Sequence, residues 1–271
     1  MVSTINMVLM VVCVLVSIAV VAVPYLAINK RSSALETGLP GAIGYGFLGY
    51  IWQYVLYMFG GLLITKLPVL GKMNDVLQML VVNLLLTILT TLCTAAALYW
   101  GIYLTNQKQI SIYRSATVGI GFALGKIGLD LIYPYLYSFY LALQINGGSY
   151  KGDADLKTSI INTTAGSLLS GTYKCLLMFV IIFALALVMG HYYIGKNKKT
   201  AWIYVLCSYE VIMLLNAILR VVFRNSETLS NISVMVVFTF VAAAAGLILY
   251  RWFQNNEVEG NPLVIFQSMK K

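Results

Sequence analysis

Residues Ser115–Ile145 read SATVGIGFALGKIGLDLIYPYLYSFYLALQI, and this stretch decides the fold. It is too apolar for any setting but a membrane interior, yet it carries Lys126 and Asp130. A charged group at mid-bilayer costs about 2.5–3.5 kcal/mol on insertion scales, so it faces a protein interior or a polar cavity and has a partner. Positions i and i+4 share one face of a helix, so the two side chains are predicted to reach each other.

The rest of the chain agrees. Apolar residues make up 60% and charged residues 10%, against about 45–50% and 25% in soluble domains. Several windows exceed the roughly 18 apolar residues that a transmembrane helix needs. The predicted fold class is therefore all-α: a polytopic transmembrane helical bundle of about seven spans, with 1–271 as a single integral membrane domain. The spans are placed at Asn6–Ile28, Gly41–Ile64, Val76–Leu104, Ser115–Tyr133, Leu169–Ile194, Ala201–Phe223 and Ile232–Phe253. Pro134 is expected to break or kink the fourth, leaving Tyr133–Tyr140 as an interfacial aromatic belt. Asn146–Thr164 reads as the longest polar loop. Val76–Leu104 is long enough to tilt or to extend past the bilayer.

The net charge of +9 belongs to membrane orientation. No basic run with interleaved aromatics stands clear of the spans, which argues against a nucleic-acid partner. Lys30, Arg31, Lys108, Arg114, Lys196, Lys198, Lys199, Arg251, Lys270 and Lys271 fall at one set of span ends. Lys66, Lys72, Lys151, Lys157 and Arg224 fall at the other. The richer side should be cytoplasmic, which puts the N-terminus outside and the C-terminus inside. The first apolar run has no basic residue before it and exceeds a signal-peptide core, so it reads as a retained span. Cys13, Cys93, Cys175 and Cys207 lie in apolar stretches without CxxC spacing, and read as small buried hydrophobes. Lys174 and Arg220, near span ends, are expected to snorkel to the interface.

Several chemistries lack their residues. A zinc site needs at least three N, O or S ligands, and the chain has one histidine, His191. The HExxH spacing and the Walker phosphate loop do not occur. Asp130 is the one aspartate within a span, and a lysine beside it would hold it ionised rather than let it share a proton. The serines of Gly166–Gly171 have no histidine placed as a base, and small residues there suit close helix packing. No catalytic residue, metal site or cofactor is expected. The candidate site is an intramembrane charged cluster: Lys126, Asp130 and Glu210 of the sixth span.

Tyr113–Asp130 resembles the signature span of the YhfC-type intramembrane metalloprotease family, relatives of the CAAX-protease and bacteriocin-processing membrane proteins. In that family a basic loop leads into a glycine-rich helix ending G-H-G-G-x-E. Gly125 and Gly128 match, Lys126 replaces the histidine, Ile127 a glycine and Asp130 the glutamate. Thr94–Trp100 carries three alanines where the family has a paired-glutamate and arginine motif. The family's later histidines correspond to apolar residues around Ile181, and to Tyr209 or Glu210. The resemblance implies a related bundle in a bacterial cytoplasmic membrane, as a degenerate member that has lost hydrolysis. On this reading the ammonium of Lys126 stands where a metal ion's charge would be, and a carboxylate keeps it paired.

Three functions remain open. The first is a non-catalytic, protease-like subunit or scaffold that binds another membrane protein or a hydrophobic peptide. The second is a transporter or permease component whose intramembrane charges line a pathway. The third is an active intramembrane protease with unfamiliar ligands.

Overall fold

The structure is a computed structural model and describes residues 1–31, 38–68, 70, 73–107, 111–194, 198–223 and 226–258. Lys72, Lys108, Lys196, Arg224, Lys270 and Lys271, counted above for orientation, lie outside the described residues. The order of elements is α1 (Thr4–Arg31), α2 (Leu39–Thr65), α3 (Asp75–Thr105), α4 (Ile112–Ile127), a π-helical turn (Gly128–Ile132), α5 (Tyr133–Asn146), α6 (Ala154–Ile161), α7 (Ala165–Ile194), α8 (Lys198–Val222) and α9 (Glu227–Val258). With Ile112–Asn146 counted as one rod, seven helices among the described residues are long and apolar enough to cross a membrane. The fold is an all-helical, multi-span membrane bundle.

Local chemistry sets several helix starts. The Asn74 side chain accepts a hydrogen bond from the Leu77 amide, and Asp75 follows in the first turn of α3, where the positive end of the helix dipole favours an anion. Ser111 caps α4 through the Tyr113 amide, and Asp153 caps α6 through the Asp155 amide. Ahead of α2, Gly38 holds φ 120°, a backbone conformation open to glycine, and a proline follows in the first turn.

Two stretches differ from the sequence reading. The fourth span is not broken at Pro134. The helix runs on to Asn146, and the interruption is the π turn just before the proline, in which the Tyr133 amide bonds back to the Gly128 carbonyl. Pro134 then falls in the first turn of α5, where its missing N–H is least costly. Tyr133, Tyr137 and Tyr140 remain on the outside of the rod, about 31 Å or more along it from Ile112 at 1.5 Å per residue. The second stretch is Asn146–Thr164, expected to be loop, which contains the short helix α6.

Two helices, α4 and α7, are buried in the middle, while α1, α2, α3, α8 and α9 surround them. Glycine allows the tightest contacts. A Cβ on Gly46 of α2 would strike the Val118 carbonyl of α4, and one on Gly121 of α4 would strike the Ile43 carbonyl of α2. These glycines of the second and fourth spans face each other, so backbone packs against backbone and dispersion contacts replace the hydrophobic drive that lipid removes. On the opposite face of α4, Gly119 meets Ala186 of α7, and Ser115 meets Gly190.

Candidate functional site

Three helices turn polar stripes inward. On α2 the stripe is Tyr50, Gln53, Tyr54 and Tyr57, on α3 it is Asn83, Thr87 and Thr90, and on α8 it is Tyr209, Asn216 and Arg220. Members of each stripe recur at steps of three, four or seven residues, one or two helical turns, which keeps a single face in line. Together with Phe122, Lys126, Asp130, Met178 and Phe238 they enclose a cavity of about 360 Å³. Its inner end lies at Tyr50, Lys126 and Tyr209. From there it follows α8 towards Arg220, a length of about 16 Å at 1.5 Å per residue. The far end coincides with the C-terminal halves of α2 and α8 and the N-terminal half of α3.

Lys126 and Asp130 form an ion pair, Nζ to Oδ2 at 2.7 Å. The second carboxylate oxygen is also held, because Tyr50 donates its hydroxyl to Asp130 Oδ1 at 3.0 Å. The Lys126 ammonium sits 5.9 Å from the centre of the Tyr50 ring, within range of a cation–π attraction. The pair is only partly enclosed, with side-chain exposures of 25% for Lys126 and 34% for Asp130. It therefore faces the cavity and is not sealed in the core. The π turn spans Asp130 itself, and such turns re-aim side chains inside otherwise regular helices.

Glu210, the third residue of the expected cluster, is placed apart. It lines a different groove on the outer side of α3 and α8, beside Thr91 and Cys207. Its Oε1 is buried without a hydrogen-bond partner. The neighbouring residue Tyr209 is the one that faces the cavity with Lys126.

Arg220 lines the cavity and donates from Nε to Asn216 Oδ1 at 3.2 Å. Lys174 reaches across to α9 and donates to Asn231 Oδ1 at 2.7 Å. The sequence reading expects both to snorkel to the interface, and the structure gives each a polar side-chain partner.

The residues do not fit the metal that the family resemblance brings with it. Lys126 stands where the resemblance would put a histidine, and an ammonium offers only donors and a positive charge. His191 lies away from the pair, in a mainly apolar cavity of about 540 Å³ between α7, α8 and α9. Among the described residues no three His, Cys, Asp or Glu side chains gather into a metal-binding group. No chemical step through a metal follows from this arrangement.

The polar stripes on α2, α3 and α8 are legible in the sequence as tyrosine, amide and threonine at helical spacing, a signal that charged residues alone do not carry. No family model, no curated protein and no solved structure matches the chain.

Proposed function

We propose that this chain is a non-catalytic membrane protein that holds a small polar solute in its central cavity, as a component of a transport system. The cavity carries this reading. Soluble ligand sites run from about 300 to 1,000 Å³ and combine apolar walls with a few polar groups, and the space bounded by Tyr50, Lys126 and Arg220 has that size and character. Ionisable residues inside a membrane are rare and mark substrate and ion pathways.

The cavity extends from Tyr209 towards Arg220, at the span ends that the positive-charge count assigns to the outside, so we propose that solute enters from there. The ion pair at the inner end joins the two residues that, on the family resemblance, would replace a histidine and a glutamate. On that resemblance, we propose a lineage in which the protease-like layout was kept and the hydrolysis was lost.

The test is water access. With the native cysteines replaced, Thr87→Cys and Asn216→Cys should react with a membrane-impermeant thiol reagent added to intact cells. Val211→Cys, on the outer face of α8, should not. Silence at both cavity positions, from either side of the membrane, would remove the basis of the reading. Reaction only in inverted vesicles would reverse the direction of entry.

A further inference from the structure

The groove between α3 and α8 holds two polar atoms with no partner among the described residues. Thr91 is 2% exposed, and both its Oγ1 and Glu210 Oε1 are buried without a hydrogen bond. Both residues line this one groove, whose volume is about 520 Å³. Its other walls are apolar side chains turned outwards, among them Leu84, Ile88, Leu92 and Val211.

Depth decides what can satisfy these atoms. Glu210 is the middle residue of α8 (Lys198–Val222), and Thr91 lies one residue past the middle of α3 (Asp75–Thr105). The lipid headgroups are therefore about 15 Å away on either side. Acyl chains cannot donate a hydrogen bond, and an unsatisfied polar group in hydrocarbon costs several kcal/mol. Glu210 Oε1 and Thr91 Oγ1 are themselves covered, but the Glu210 side chain as a whole is half-buried, so a donor at that depth, on another transmembrane helix, meets Glu210 from the groove.

We infer that the α3–α8 groove is the docking face for a transmembrane helix of a different membrane protein, one that carries a lysine or arginine at its midpoint. Charge complementarity to Glu210 selects a basic residue. A second copy of this chain is a poor fit, because Lys126 within the fourth span and Lys174 of α7 already have partners inside the bundle. Lys126 is bound to Asp130 and Lys174 to Asn231. The groove is separate from the central cavity, so this inference stands or falls independently of the solute reading.

The test uses full-length protein in liposomes with a donor fluorophore, and a synthetic polyleucine helix with one central lysine carrying the acceptor. An all-leucine helix is the reference. The lysine helix should associate about tenfold more tightly, the scale of an interhelical polar contact in lipid. The preference should vanish in Glu210→Leu, a change that suits a lipid-facing position and leaves the fold intact. It should persist in Asp130→Asn, which alters only the interior contacts with Lys126 and Tyr50. Equal association of the two peptides would overturn the inference, as would a preference that survives Glu210→Leu. So would Glu210-dependent association of the protein with itself, which would make the groove an interface between copies.

Discussion

Tyr50 donates its hydroxyl to the carboxylate oxygen of Asp130 that Lys126 leaves free. One hydrogen bond thus ties α2 to the ion pair on the central rod. The same ring lies beside Gly125, where a Cβ would come within 2.9 Å of it. Tyr50→Phe keeps the ring and loses the bond. A net loss of about 1 kcal/mol is expected, since the freed carboxylate oxygen still faces the cavity. Thermal or denaturant unfolding in detergent measures it. No loss at all would mean that Asp130 is satisfied by water.

Lys126→Met should cost more than the double change Lys126→Met with Asp130→Leu. Removing one partner of a fully buried pair costs about 3–5 kcal/mol, because a charge is stranded. Here the pair is partly exposed to the cavity, which screens the stranded carboxylate, so about 2 kcal/mol is expected for the single change. The double change leaves no stranded charge and should recover most of that. The same unfolding assay decides the matter: a harmless single change, or a double change no milder than the single, would show that the two charges are not coupled.

Gly46 and Gly44 lie two residues apart on α2, yet they should respond in opposite ways to alanine. A methyl at Gly46 meets the α4 backbone, whereas nothing lies within 4 Å of one at Gly44. Forcing α2 away from α4 should cost about 1–3 kcal/mol, the range for overpacking a tight contact. Gly44→Ala should be neutral or gain up to about 1 kcal/mol from reduced backbone entropy in the unfolded chain. Melting temperatures of the two variants settle it. Equal effects would remove the close α2–α4 approach.

How much of this is readable from residues alone depends on the kind of signal. The apolar windows locate the spans, because length and hydropathy are local properties. The Lys126–Asp130 contact is also local, being set by helical spacing within one rod. Residue type alone puts Glu210 with the pair. Whether it faces Lys126 depends on the rotation of α8 about its axis, which packing against α3, α7 and α9 decides. That rotation turns Tyr209 inwards and Glu210 outwards. Pro134 misleads for a similar reason. Its effect on backbone bonding is local and foreseeable, but the π turn at Gly128–Ile132 ahead of it carries the interruption and lets the helix continue.

Asn146 clamps the start of the described chain. It accepts from the Val2 amide at 2.8 Å and donates to the Val2 carbonyl at 3.0 Å. Asn6 adds a bond to the Thr163 carbonyl. Asn146→Leu loses both Val2 bonds at once, about 1–3 kcal/mol of local stability. The effect should stay local, as for other fraying ends. Faster amide exchange over the first turns of α1, with unchanged exchange in α4, is the expected outcome. Acceleration throughout the bundle would show that α1 docking supports the whole fold.

Lys126→His would put an imidazole where the proposed resemblance calls for a histidine, and it tests whether a metal site is one substitution away. The variant would offer that imidazole and the Asp130 carboxylate on one helix face, with Tyr50 beyond them. Tyrosine is a poor ligand while protonated, so two good ligands stand where zinc needs at least three. Among the described residues no further His, Cys, Asp or Glu gathers there, and Glu210 points into the outer groove. Metal analysis of the purified variant should therefore find well below one zinc per chain, and chelator should leave its melting temperature unchanged. Stoichiometric zinc in the variant would show that α8 can rotate Glu210 inwards. Stoichiometric zinc in the unaltered protein would contradict the ion pair itself, because an ammonium and a zinc ion cannot share one carboxylate at that spacing without mutual repulsion.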